Sequence, residues 1–211
     1  MPLVASALAE QIKTALGFGS ELTSAETLGM AEAIVEEITS MGIVSFAPGG
    51  VTGNAPAPSG GPLIDGAASD GIIVGTSGSS LADKLKTKMN KPSITAPLQN
   101  MADSISSCIN AGKVGFSTGQ VTGMCTNTPT APGTFTGSAS GGLISGLDSG
   151  KLADDLASPY GSKTPQVIAL ASAITTYTMA NASVSVALMS GVAPAGGGPI
   201  TLGAGSGGTI S

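Results

Sequence analysis

Histidine, arginine and tryptophan are absent from the 211 residues of this chain, and each absence removes a class of chemistry. Without histidine there is no usual general base, no usual proton shuttle and no Ser-His-Asp arrangement, and the commonest metal ligand is missing. Without arginine all eight cationic side chains are lysine. Bidentate recognition of phosphate or guanine then has no donor, and a net charge of −5 argues further against a nucleic-acid partner. Two cysteines, Cys108 and Cys125, are too few for a zinc site of their own. They can pair, or stay buried as small hydrophobes.

Charge and aromatic groups are also scarce. Only 10% of residues are charged and 3% aromatic, against roughly 25% charged in an ordinary soluble domain. In their place stand 32 Gly, 13 Pro and much Ala, Ser and Thr. A monomer of this composition exposes a poorly hydrated surface, which usually marks contact with partners.

The groups that carry chemistry elsewhere have plainer readings here. Lys84, Lys86, Lys88 and Lys91 form the one basic run, expected on a solvated helix face. Asp154-Asp155 and Glu36-Glu37 diverge by about 100° as helix neighbours, so each pair is expected in solvent rather than on one ion. The tract from Gly203 to Gly208 is glycine-rich, but a phosphate cradle must lie between a strand and a helix N-terminus. No spacing points to a Ser-Lys pair. The expectation is no catalytic, cofactor or metal site.

The start, Met1-Pro2-Leu3-Val4-Ala5, has no basic region and Glu10 interrupts the apolar stretch, so no secretory signal is expected. The most apolar segment, Val167 to Val186, is threaded with Ser, Thr, Asn and Gln. It reads as a buried helix running into a strand rather than a membrane span.

The sequence repeats itself. Gly42-Ile43-Val44-Ser45-Phe46 through Val51-Thr52-Gly53 aligns in constant register with Gly112-Lys113-Val114-Gly115-Phe116 through Val121-Thr122-Gly123. Gly66 to Gly75 aligns with Gly137 to Gly146. A fainter third copy runs through Val184-Ser185-Val186-Ala187 and Pro199-Ile200-Thr201-Leu202-Gly203, then Ser206 to Ile210. A helical signature precedes each copy: Leu8-Ala9-Glu10-Gln11-Ile12, Leu81-Ala82-Asp83-Lys84-Leu85 and Leu152-Ala153-Asp154-Asp155-Leu156. The expected units are residues 5–78, 79–149 and 150–211, packed as one composite domain.

The predicted fold class is α+β: three tandem units, each a helix pair followed by a short β-hairpin with a Gly/Pro-rich arm. In the first unit Leu8, Ile12 and Leu16 share one helical face, and Gly17 and Gly19 supply stop signals. Ser24 is an N-cap candidate, Leu28, Ala31, Val35, Ile38 and Met41 form the inward stripe of the longer helix, and Glu32, Glu36 and Glu37 lie outside it. In the second, Pro97 suits a first helical turn, and Leu98, Met101, Ala102, Ile105, Cys108 and Ile109 face inward. In the third, Thr164-Pro165 starts a helix whose stripe is Val167, Leu170, Ala171, Ile174 and Tyr177. Residues Thr52 to Pro62 cannot be helical and are expected as an extended loop or hairpin tip. Units of roughly 70 residues are marginal alone. A compact pseudo-threefold packing that shares one core is favoured over a linear stack.

Low charge, few aromatics and Gly/Pro-rich arms suit segments that lie across neighbours and add backbone hydrogen bonds by β-augmentation. The candidate assembly residues are Val51, Thr52, Gly53, Pro62, Val121, Thr122, Gly123, Pro132 and Pro199. With these arms and the Gly-Ala/Ser-rich return strands, the chain resembles the small, internally repeated structural proteins of tailed-bacteriophage virions. The resemblance implies a non-catalytic virion component, made in the host cytoplasm, in a tail, neck or capsid decoration. Its partners would be copies of itself or other structural proteins of the particle, with no nucleic acid and no membrane. A cellular filament or surface-layer subunit shares this composition. A soluble binding module using the Gly/Pro-rich loops is the third class.

Overall fold

The computed structural model describes residues 3–16, 24–56, 60–145, 147–158 and 164–211. Gly17, Gly19, Ala57-Pro58-Ser59 and Gly146 lie outside the described residues. Helix pairs and strands alternate along the chain. Helices α1 (Ala5–Leu16) and α2 (Ser24–Met41) lead into β1 (Ile43–Phe46), β2 (Val51–Ala55), β3 (Gly61–Pro62) and β4 (Ile64–Val74). Helices α3 (Gly78–Lys88) and α4 (Ala96–Ala111) lead into β5 (Lys113–Phe116), β6 (Val121–Cys125) and β7 (Gly133–Ser145). Helices α5 (Ser149–Ala157) and α6 (Pro165–Asn181) lead into β8 (Val184–Ala193), β9 (Gly198–Pro199) and β10 (Thr201–Ile210). The fold is α+β.

Six strands close into an antiparallel barrel. Strand β1 pairs with β4, β4 with β5, β5 with β7, β7 with β8, β8 with β10, and β10 returns to β1. The helices close a second ring: α1 packs on α2, α2 on α3, and so on to α6, which packs back on α1. A linear stack is thereby replaced by a closed one. Closure leaves the barrel strands without a free edge along this seam, where an open sheet would offer a template for aggregation.

The strands alternate as half-buried strands should. Val44 and Phe46 point into the barrel, as do Val114 and Phe116, while Ile43 and Lys113 face out. The Phe46 and Phe116 rings meet inside with centroids 5.7 Å apart and planes tilted by 50°. Each ring lies over a glycine of its own return strand. A Cβ at Gly71 would stand 2.5 Å from Phe46, and one at Gly142 2.7 Å from Phe116. The residue before each of these glycines is left-handed: Asp70 at φ 57° and Gly141 at 76°, with Gly207 at 67° in β10. Each marks a register shift in the ladder, which bends the strand around the ring.

Several expectations need correction. The hairpins are not short: β4, β7 and β10 run for 11, 13 and 10 residues. Residues Val51–Ala55 are strand rather than loop tip. Helix α2 buries Met30, Ala31, Ala33, Ile34, Glu37 and Ile38, while Leu28 and Met41 are exposed. The expected stripe was rotated because α2 packs against neighbours on both sides, α1 and α3, so its buried arc is broad. The side chains of Leu16 and Ser24 lie outside the described residues. The other two long helices bury the predicted faces. Pro97 stands in the first turn of α4, and the Thr164 hydroxyl caps α6 by accepting the Val167 N–H. The Gly203–Gly208 tract is strand β10. Among the described residues, no helix is long and apolar enough to cross a membrane.

Candidate functional site

The predicted arm residues lie in or beside the barrel wall and meet other segments of the same chain. Val51 and Val121 are buried core residues at the starts of β2 and β6. Thr52 faces Ala67, and Thr122 and Gly123 face Ser138 and Gly137. Pro62 pairs with Met124 of β6, and Pro199 with Asn54 of β2. The next residues repeat one contact: the Leu63 N–H donates to the Gly123 carbonyl at 2.8 Å, and the Ile200 N–H to the Gly53 carbonyl at 2.9 Å. The tight turns do the same, Gly49 N–H to Gly203 O at 2.9 Å and Gly119 N–H to Gly66 O at 2.8 Å. Pro132 is exposed, just before β7. The arms therefore perform β-augmentation, but on the neighbouring part of their own chain.

A second set of contacts locks the helix ring, and composition did not point to it. Each long helix holds the start of the next short helix. Glu37 on α2 is 0% exposed. It accepts the Ser77 N–H at 2.8 Å, the Ser80 hydroxyl at 2.7 Å and the Lys84 ammonium at 2.7 Å. Ser77 is itself the N-cap of α3, its hydroxyl accepting the Ser80 N–H at 3.2 Å. Burial pushes the Glu37 carboxyl up. The bonds from Lys84, Ser77 and Ser80, with the lysine charge, outweigh that and hold it below its ordinary value.

On α4, one residue beyond Ser107, the position that aligns with Glu37, the Cys108 thiol lies 4.0 Å from the carbonyl of Asp148, the N-cap of α5. Burial pushes that thiol up, which keeps it a poor nucleophile. On α6 the aligned residue is Tyr177, whose hydroxyl accepts the Val4 N–H and donates to the Val4 carbonyl, both at 2.7 Å. Val4 immediately precedes α1. Glu37 and Tyr177, which share a register position, thus each tie a long helix to the start of the next short one, by a carboxylate and by a phenol.

The α2/α3 seam carries charge. Lys84 pairs with Glu37, Lys88 with Glu36 at 3.3 Å and Glu32 at 3.7 Å, and Lys91 with Glu26. Lys84, Lys88 and Lys91 of the basic run pair with the acidic face across this seam, with Lys88, Glu32 and Glu36 in solvent as expected. Glu37 is the sharpest departure. Ser80 and Lys84 also form the Ser-Lys pair that spacing had not indicated, with Nζ 3.5 Å from Oγ. Both donate to Glu37, so the pair is spent on holding a carboxylate and has no free acceptor to activate a nucleophile.

Both cysteines are free thiols, Cys125 buried in β6 and Cys108 half-buried on α4. Among the described residues no three His, Cys, Asp or Glu side chains gather as a metal-binding group. Comparison with protein-family models, curated proteins and solved structures finds no match.

Proposed function

We propose that this protein is a non-catalytic structural subunit that works by associating with copies of itself or with other components of a large particle. The observation that carries the reading is the outer wall of the barrel. Leu143, Leu188 and Leu202 are 61%, 60% and 65% exposed, Ile43 and Ile64 also face outward, and Met124 is exposed on the adjoining β6. Exposed apolar side chains at this density, on a chain with so little charge, favour contact with another protein.

The mode of association changes from the one the arms suggested. Arms that pair within the chain rigidify the subunit, and the side chains of the outer wall are left to meet partners. In this reading the chain is one helix-pair-and-strand unit written three times, a pseudo-threefold block. Its support is the repeated inter-segment contacts and the like burial patterns of Ile64–Val74 and Thr201–Ile210. A chain built so presents three similar surfaces to a symmetric assembly. A tailed-phage virion, in its tail, neck or capsid decoration, is the setting we favour, on composition and repeat pattern.

Light scattering of the purified chain, with negative-stain microscopy of the same sample, tests this. Rings, tubes or a closed oligomer support the proposal. Replacing Leu143, Leu188 and Leu202 together by Ser should then dissociate them. A monomer of about 20 kDa at all concentrations, with saturable turnover of a small substrate, would overturn it.

A further inference from the structure

Between the helix pairs is an apolar pocket of about 390 Å³ that opens to solvent, with Ser93, Thr95 and Asn100 exposed at its mouth. Its wall draws on all three helix pairs: Met30 of α2, Met89 just past α3, Leu98 and Met101 of α4, Leu156 of α5 and Leu170 of α6. An apolar hole of roughly 150 Å³ already takes benzene, and ligand sites begin at about 300 Å³. The cavity is therefore of ligand size.

The described lining bears on the ligand's chemistry. Among the described residues it contains no aromatic ring to stack on a planar ligand. Three methionines supply flexible, polarisable side chains that mould themselves to an irregular hydrocarbon. Lys91, the one charged member among the described lining residues, is already paired with the carboxylate of Glu26. Ser93, Thr95 and Asn100 complete the polar margin with neutral hydrogen-bonding groups. An anionic head would have to displace Glu26, whereas a hydroxyl or carbonyl would not.

We infer that the cavity binds one aliphatic molecule with an uncharged polar end, such as an acyl-chain or terpenoid alcohol. The aliphatic part lies among the methionines and leucines, and the polar end lies at the Ser93–Thr95 margin. This inference is independent of the assembly reading, and either can fail alone.

The test uses the full chain labelled with ¹³C at the methionine methyls and titrated with 1-decanol. Saturable shifts of the Met30, Met89 and Met101 methyls, with Met124 on β6 unmoved, are the expected result. Decanoate should bind at least ten-fold more weakly. Leu98→Trp, which fills the cavity, should abolish the shifts. If that variant misfolds, Met101→Phe serves, with folding checked by its Met124 and Met189 signals. Repeating the titration with phosphatidylcholine vesicles separates sources: shifts from vesicles assign a lipid acyl chain, and shifts from decanol alone assign a free ligand. No saturable shift up to the solubility limit would overturn the inference. So would shifts that appear on self-association without alcohol, because they would assign the cavity to a partner's side chain.

Discussion

The Tyr177 hydroxyl closes a two-way hydrogen bond on the backbone of Val4, accepting its N–H and donating to its carbonyl, each at 2.7 Å. It joins the last helix to the first, and so supplies to the closing seam what Glu37 supplies to the α2/α3 seam.

Tyr177→Phe keeps the buried ring and removes both bonds. Net loss of a typical hydrogen bond is about 1 kcal/mol, and Val4 is exposed enough for water to replace part of it. The expected cost is therefore about 1–2 kcal/mol. Hydrogen exchange should show faster opening of α1 with the barrel strands unchanged. Unchanged exchange in α1 would mean that Tyr177 acts only as core volume.

Glu37→Ala should be much costlier, because it leaves Lys84 without its main partner at a site where only 18% of the lysine side chain is exposed. Breaking such a pair costs about 3–5 kcal/mol in fully buried cases, and about 3 kcal/mol is expected here. Replacing both residues by methionine should restore most of the loss. Chemical denaturation of the two singles and the double measures this, and an additive double would refute the pairing.

The same carboxylate sets an acid dependence. Its folded-state pKa lies below the ordinary 4.5. The protonated form is therefore disfavoured by folding, and the stabilisation is present at neutral pH. It begins to disappear as pH falls below about 4.5 and is lost once pH passes the depressed folded value. A urea-melt series from pH 7 to pH 2 should show this loss, and Glu37→Gln should flatten it. Salt should do little by comparison. The Lys88 pairs with Glu32 and Glu36 are exposed and contribute little, and Glu37 is shielded from screening ions.

Asp70 and Gly71 test the barrel's bend. Asp70→Gly relieves a left-handed residue and should stabilise by about 0.5–1 kcal/mol. Gly71→Ala drives a methyl into the Phe46 ring and should cost about 1–3 kcal/mol, partly recovered by Phe46→Leu. Thermal melts of the three variants distinguish bend from packing. A stabilising Gly71→Ala would refute the contact.

Ring closure makes the chain permutable. Ser211 exchanges backbone hydrogen bonds with Ser183 at 2.9 Å in both directions, while Val4 is tied to Tyr177. Both ends are thus fastened to the junction of α6 and β8. A permutant joining residue 211 to residue 1, with new ends between Pro129 and Thr130 on an exposed loop, should fold with the same circular dichroism. A melting temperature within about 8 °C of the parent, a shift worth roughly 2–4 kcal/mol at this size, is expected. An unfolded or swapped product would refute closure as drawn.

The local grammar of the chain was legible from residues alone. Pro97 and Thr164-Pro165 start helices, and Gly42 and Gly112 sit where helix gives way to strand, because proline, capping hydroxyls and glycine act within a few residues of themselves. The inward faces of α4 and α6 followed from helical periodicity, and the repeated Val44/Phe46 and Val114/Phe116 pattern followed from strand alternation. What residues alone left open was which segment meets which. Glu37 and Tyr177 share a role but no chemistry, so no motif joins them, and only the closed helix ring brings each to the next helix start. Burial of Glu37 depended on Lys84 arriving from another helix, since a carboxylate leaves water only when donors far along the chain replace it. The arms, too, could be recognised as extended, yet whether they reach another molecule or their own chain is a question of ring closure. Non-local pairing answers it, and no sequence window contains both partners.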